Sequence, residues 1–245
     1  MKRLALFVLA LLCVTVAAAP SVLLDTALAS ASEGRVRLAS PDGSLWYGQG
    51  YLAQAGEGKQ LKPWLKLGWR FDPPALLHGE GAWDVKADGK SAARVVLGLD
   101  GWRMEGLQIT LPAQPLFRAL AHPAFHFGWR GWLEADGKGL KCDWQSVCTG
   151  NFALSWRAAS TDILLEPRLG DYRAEVDADG RSLSLQLSST AGSPLQISGR
   201  IDLSAGLSPA LDLTLDGKPA IIDRLAPLIN SIAQRDGTRL RIRSP

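Results

Sequence analysis

Asp-Gly recurs along this chain, at Asp42-Gly43, Asp88-Gly89, Asp100-Gly101, Asp136-Gly137, Asp179-Gly180, Asp216-Gly217 and Asp236-Gly237, mostly between stretches where apolar and polar residues alternate. A two-residue hairpin turn whose twist matches its strands needs positive φ at its centre, which Gly adopts freely and Asp tolerates. The flanks keep period two: Leu183, Leu185 and Leu187 alternate with Ser and Gln, and Leu211, Leu213 and Leu215 with Asp and Thr. Such strands have one apolar and one wet face. The expected body is mainly β, a largely antiparallel twisted sheet of hairpins with one or two short helices.

Two stretches carry helical spacing. Pro112 to Ala121 sets Leu116, Phe117 and Leu120 on one side, and Pro219 to Gln234 carries Ile221, Ile222, Leu225, Leu228, Ile229 and Ile232, with a kink expected at Pro227. Both are read as caps on the ends of a sheet. Gly-Trp-Arg occurs at Gly68-Trp69-Arg70, Gly101-Trp102-Arg103 and Gly128-Trp129-Arg130, with Ser155-Trp156-Arg157 as a looser copy. On a strand each copy would set Trp on one face and Arg on the other. The plainer account is that both are good strand residues.

Behind Met1, Lys2 and Arg3, no charged side chain occurs from Leu4 to Leu24. About 20 apolar residues suffice for a helix to cross a hydrocarbon core roughly 30 Å thick, and the two cations hold that end in the cytoplasm. The reading is a transmembrane anchor at residues 1–24 and a β-rich domain at 25–245 outside the cytoplasm. A removable leader is the alternative, because Ala17-Ala18-Ala19 and Ala27-Leu28-Ala29 are small-residue patterns. Pro20 directly after the first site, and the distance of the second from the apolar core, favour the anchor. Cys13 is read as a small apolar residue of that helix.

In an oxidising compartment Cys142 and Cys148 are expected to pair, closing a short loop around Trp144. The spacing lacks the Cys-x-x-Cys of a redox pair, and no further zinc ligands lie close by. A net charge of +3, with Lys and Arg spread singly among Asp and Glu, argues against a nucleic-acid partner. The histidines are His78, His122 and His126, and Pro123 breaks the helical register that a metal face at the last two would need. There is no Gly-x-Ser-x-Gly elbow and no phosphate-cradling loop. Asp177-Ala178-Asp179-Gly180 begins like a calcium loop but lacks its closing Glu, so it reads as a hairpin turn. No catalytic residue, metal or cofactor is expected, and the chain is read as a non-enzyme.

Several longer elements carry a resemblance. After Pro20 come Gly34-Arg35-Val36-Arg37-Leu38 and Asp42-Gly43-Ser44-Leu45-Trp46-Tyr47-Gly48-Gln49-Gly50, then Leu67-Gly68-Trp69-Arg70-Phe71-Asp72-Pro73-Pro74-Ala75-Leu76-Leu77-His78-Gly79. Further on stand Leu169-Gly170-Asp171-Tyr172, Leu185-Gln186-Leu187 and Gly192-Ser193-Pro194-Leu195-Gln196-Ile197-Ser198-Gly199. In this order they resemble the type II secretion system protein N family over most of the chain. Ser193 departs from it, standing where family members more often place Gly directly before Pro, and the Cys142 to Cys148 region is only loosely similar.

The resemblance implies a non-enzymatic accessory component of the Gram-negative type II secretion system, which exports folded proteins from the periplasm across the outer membrane. It implies a single pass through the inner membrane, a cytoplasmic N-terminus and a periplasmic bulk. The implied partners are inner-membrane platform or secretin components, met through sheet edges and through exposed aromatics such as Trp46 and Tyr47. The plainer reading of Trp46 is a core residue on a strand. The layout also resembles the AsmA-like envelope proteins, which implies lipid handling along an open apolar groove.

Overall fold

A computed structural model describes residues 14–15, 18–55, 60–119, 127–163, 168–204, 209–229 and 233–244. The chain divides into two compact units, residues 1–91 and 92–245. In the first, α1 (Val22–Ala31) precedes β1 (Val36–Gly43), β2 (Tyr47–Ala55) and β3 (Leu61–Phe71), and a 3-10 turn (Pro73–His78) leads to β4 (Gly81–Ala87). The strands pair antiparallel in chain order. Register sets Leu38 beside Leu52 and Leu52 beside Leu65, and carries the same face on through Trp69 to Val85. Glycine on β2 makes room there, since a Cβ at Gly50 would stand 2.9 Å from the Leu38 side chain.

Helix α1 closes the outer edge of β1. The Asp25 carboxylate accepts from Arg37 Nε and from the Leu38 N–H, both at 2.8 Å, and Ser32 Oγ accepts from the Val36 N–H at 2.9 Å. Occupying these outward groups blunts an edge that would otherwise template pairing with another strand. The Arg37 guanidinium holds the Asp25 carboxyl below its ordinary range, against the opposing effect of burial and with help from the Leu38 N–H. A carboxyl depressed in the folded state contributes stability above its unfolded value, near about pH 4, and loses it as pH falls further. Asp25→Asn is expected to lower unfolding stability by about 2 kcal/mol at pH 7, the scale of charged hydrogen bonds. In denaturant melts the gap between the two proteins should narrow at pH 3, and an equal gap at both pH values would refute the ionic origin.

The membrane anchor expected at residues 1–24 is not supported: among the described residues no helix is long and apolar enough to cross a membrane. Residues 1–13, 16 and 17, Cys13 included, lie outside those described. The end of the run belongs to the first unit, where the Ala19 carbonyl accepts from the Leu45 N–H at 2.9 Å, Pro20 bridges to Ser44, and Val22 to Leu24 open α1.

β5 (Lys90–Leu97) enters the second unit, followed by β6 (Gly101–Pro112), α2 (Ala113–Ala119), β7 (Arg130–Asp143), β8 (Cys148–Ser160), β9 (Gly170–Gly180) and β10 (Ser182–Ser189). Then come β11 (Leu195–Ser204), β12 (Ala210–Gly217), α3 (Pro219–Ile229), β13 (Ala233–Asp236) and β14 (Arg239–Ser244). Strands stand in chain order except that β14 lies between β12 and β13, and the pairings are antiparallel. The mainly β, antiparallel reading therefore holds, while the described residues carry three short α-helices and a 3-10 turn where one or two short helices are expected.

Register places Leu185, Ile201 and Leu211 on one face, and Ser184, Asp202 and Arg200 on the other. The apolar face is sealed at one end, where Ile221 and Ile222 of α3 meet Leu169, Tyr172, Leu195 and Leu240. Helix α2 matches the middle of the helix expected from Pro112 to Ala121; Pro112 ends β6, and Leu120 and Ala121 lie outside the described residues. The longer helix stops earlier than read, because Ala233 and Gln234 pair with β14 as the start of β13.

Two Asp-Gly readings are corrected. Asp216-Gly217 ends β12 and leads toward α3 instead of a hairpin, and Asp136-Gly137 lies inside β7 beside a register shift. Gly137 is needed for close approach across the sheet, since a Cβ there would stand 2.7 Å from Phe152 Cα. Gly180 and Gly237 do serve turns, with φ of 67° and 60° between paired strands, whereas Asp42-Gly43 pairs with Gln49 and Gly48 and the turn follows it.

Candidate functional site

The segment Gly43 to Tyr47, carrying both aromatics singled out in the sequence, is pinned from several sides. The Ser44 N–H donates to the Tyr47 carbonyl at 2.8 Å, and Ser44 Oγ accepts from the N–H groups of Trp46 and Tyr47. The carbonyls that remain are taken by neighbours. Trp69 Nε1 donates to Ser44 at 2.9 Å, Trp83 Nε1 to Leu45 at 3.1 Å, and the Phe71 N–H to Trp46 at 2.6 Å. The backbone groups of the turn are met in this way.

The turn sends its two aromatics in opposite directions. Trp46 is half-buried, edge-on to Phe71 with centroids 4.8 Å apart and stacked on Trp83 at 6.1 Å. It belongs to a turn, not to a strand. Tyr47 is 63% exposed, and the Arg70 guanidinium lies 5.6 Å from its ring centroid. Register places Tyr47 beside Arg70 and Arg70 beside Asp84 in one row, and Gln49, Gly68 and Lys86 in the next. Gly68, lacking a side chain between Gln49 and Lys86, leaves a recess of about 450 Å³ with Tyr47 and Arg70 on its wall. Tyrosine and arginine are residue types enriched at protein contact surfaces.

The other singled-out residues lie in the second unit. Cys142 and Cys148 are register partners at the ends of β7 and β8 and form a disulfide. The loop between them is ordered by the Asp143 carboxylate, which accepts from the N–H groups of Gln145 and Val147 at 2.8 Å. Trp144 at its tip is 60% exposed while its Nε1 donates to the Leu99 carbonyl. In the Gly-Trp-Arg copies, Trp69, Trp129 and Trp156 face apolar neighbours, while Arg130 pairs with Asp162 and Arg157 with Glu134. Trp102 and Arg103 are both half-buried. Strand alternation accounts for Trp69-Arg70 and Trp156-Arg157, while Trp129 stands just ahead of β7 and Trp102-Arg103 shows no division into a buried and an exposed face.

Motifs distant in sequence meet at the ends of β9 and β11. The Leu195 N–H donates to the Leu169 carbonyl at 3.0 Å, Ser193 Oγ accepts from the Asp171 N–H at 3.1 Å, and buried Tyr172 Oη lies 3.0 Å from the carbonyls of Leu169 and Leu195. Burial, with the Asp171 carboxylate adding to it, pushes the Tyr172 phenol well above its ordinary range. Tyr172 is thus a neutral structural donor, a role the sequence did not suggest. Among the described residues no cluster of His, Cys, Asp and Glu is arranged to hold a metal ion. His122 and His126 lie outside those residues.

A family model described as type II secretion system (T2SS), protein N, matches residues 34–243. No curated protein and no solved structure matches the chain.

Proposed function

We propose, because the chain belongs to the type II secretion system protein N family, that it is a non-enzymatic accessory component of the secretion machine, supporting export of folded proteins from the periplasm. The observation that carries this reading is a match reaching from Gly34 to Arg243 and so including both units. We place the bulk in the periplasm and the anchor in the charge-free run ahead of Ala19, whose carbonyl is already engaged by the first unit.

Partners in this reading are other secretion components, and Tyr47 with Arg70 is the contact offered to them. The edge of β1 is unsuited to strand addition, because Asp25 and Ser32 occupy its outward groups. Tyr47→Ala is expected to leave the melting temperature within about 2 °C of the parent, as for a surface substitution, and to reduce co-purification of platform proteins. Trp46→Ala should lower stability through loss of its ring contacts. Undiminished co-purification by a folded Tyr47→Ala protein would remove the site from this account.

A second reading, lipid carriage, is favoured by one feature. Leu183, Leu185, Leu187, Ile201, Leu211 and Leu213 share a face yet are half-buried, unlike Ile221 and Ile222 beneath α3. Lipid crosslinked to this face in a purified membrane preparation would support that reading, whereas crosslinks to secretion proteins alone would count against it.

A further inference from the structure

Arg239, Arg241 and Arg243 alternate along β14 with Leu240 and Ile242. The two apolar residues are buried, so the arginines stand together on the polar face of the second unit. In register on β12 are Asp216, Thr214 and Asp212. The outer arginines find counterions there: Arg239 Nε lies 2.7 Å from Asp216, and Arg243 Nε 3.4 Å from Asp212. The middle position departs from the pattern. Thr214 stands opposite Arg241, and among the described residues Arg241 pairs with no carboxylate.

One strand further, Arg200 of β11 is in register with Asp212 and pairs with Asp202 at 2.8 Å, while Ser198 is in register with Thr214. The side chains of Ser198, Arg200, Asp212, Thr214, Arg241 and Arg243 line a shallow recess of about 350 Å³. With Arg200 held by Asp202 and Arg243 by Asp212, the charge of Arg241 is left over the two hydroxyl groups. Because its neighbours on β14 are paired with carboxylates, Arg241 keeps the uncompensated positive charge of the row, which an anion in the recess would balance. The planar fork of arginine suits tetrahedral oxyanions, and hydroxyl groups supply further donors.

We propose that this recess binds a phosphate group, free or carried on a lipid headgroup, with Arg241 as its principal ligand and Thr214 and Ser198 as hydrogen-bond donors. The site is a gap in a ladder of ion pairs, so a side chain can fill it. Thr214→Asp places a carboxylate opposite Arg241, where the neighbouring rows already have one.

The test uses the full chain with two probes. Inorganic phosphate is titrated against chloride at equal ionic strength, with melting temperature as readout, and flotation compares vesicles of phosphatidylglycerol and phosphatidylcholine with phosphatidylcholine alone. The parent should respond to at least one probe. Arg241→Gln should weaken that response roughly tenfold or more, the scale of a lost charged hydrogen bond. Thr214→Asp should melt higher than the parent without phosphate and respond to neither probe. A response to free phosphate marks the anion itself as sufficient, and a response to anionic vesicles alone marks the lipid headgroup as its source. The proposal is overturned if the parent responds to neither probe, or if Thr214→Asp responds as the parent does.

Discussion

Trp156→Ala is expected to lower the unfolding free energy by about 3 kcal/mol, the low end of the range for large aromatic truncations. Trp156 sits on β8 in register with Leu133 on one side and Tyr172 on the other. Its ring lies 5.2 Å from Phe117, 5.5 Å from Trp129 and 5.9 Å from Tyr172, and its Nε1 donates to the Arg130 carbonyl at 3.0 Å. One truncation therefore loosens the packing between α2, β9 and the approach to β7. The low end applies because Trp156 is half-buried and water can partly fill the space. Trp144→Ala, at the exposed tip of the disulfide loop, should cost no more than about 1 kcal/mol. Denaturant unfolding of both variants makes the comparison, and equal losses would show that the aromatic cluster is not the core of the second unit.

Gly170→Ala is expected to cost about 3 kcal/mol, for two separable reasons. Gly170 has φ of 139°, a conformation that residues with a Cβ rarely adopt, and an added Cβ would overlap the Ser193 side chain. The contact matters because Ser193 orders the neighbouring Asp171 N–H, and Tyr172 next to it caps the carbonyls of Leu169 and Leu195. Ser193→Gly in the Gly170→Ala background should relieve the overlap but not the backbone strain. About 1 kcal/mol should be recovered relative to the sum of the single changes. Strict additivity in the double-mutant cycle would rule out the contact. The same geometry explains how serine is accommodated before Pro194: it uses space left by the missing side chain at Gly170.

What could be read from the sequence was local. Period-two leucines on β10 and β12 announced strands and their faces, because side-chain alternation follows from strand geometry alone. The spacing of Leu116 and Phe117 in α2 was similarly visible. Asp136-Gly137 misled because its glycine answers to Phe152 on the neighbouring strand, and a Gly needed for close approach resembles a Gly needed for a turn. The second helix stops short of Gln234 because Ala233 and Gln234, directly after the apolar spacing that ends at Ile232, gain strand partners in β14.

The candidate site was half legible. Trp46-Tyr47 stood out as a pair, but which of them turns outward depends on Phe71 and Trp83, which arrive from other strands. Asp25 looked like the first charge beyond an apolar run. Its role as the cap of β1 depends on Arg37 and Leu38, twelve and thirteen residues away. A lone carboxylate at the end of such a run was the only available signal, and it pointed to a boundary rather than to a partner.

In the proposed function the turn bearing Tyr47 faces components of the secretion machine. The most direct measurement places a photoreactive phenylalanine derivative at position 47 of the full chain in living cells and identifies adducts by mass spectrometry. Crosslinks to type II secretion proteins, absent when the probe is moved to buried Leu65, are the result predicted. Crosslinks to lipid alone, or none from a protein present at normal levels, would contradict it.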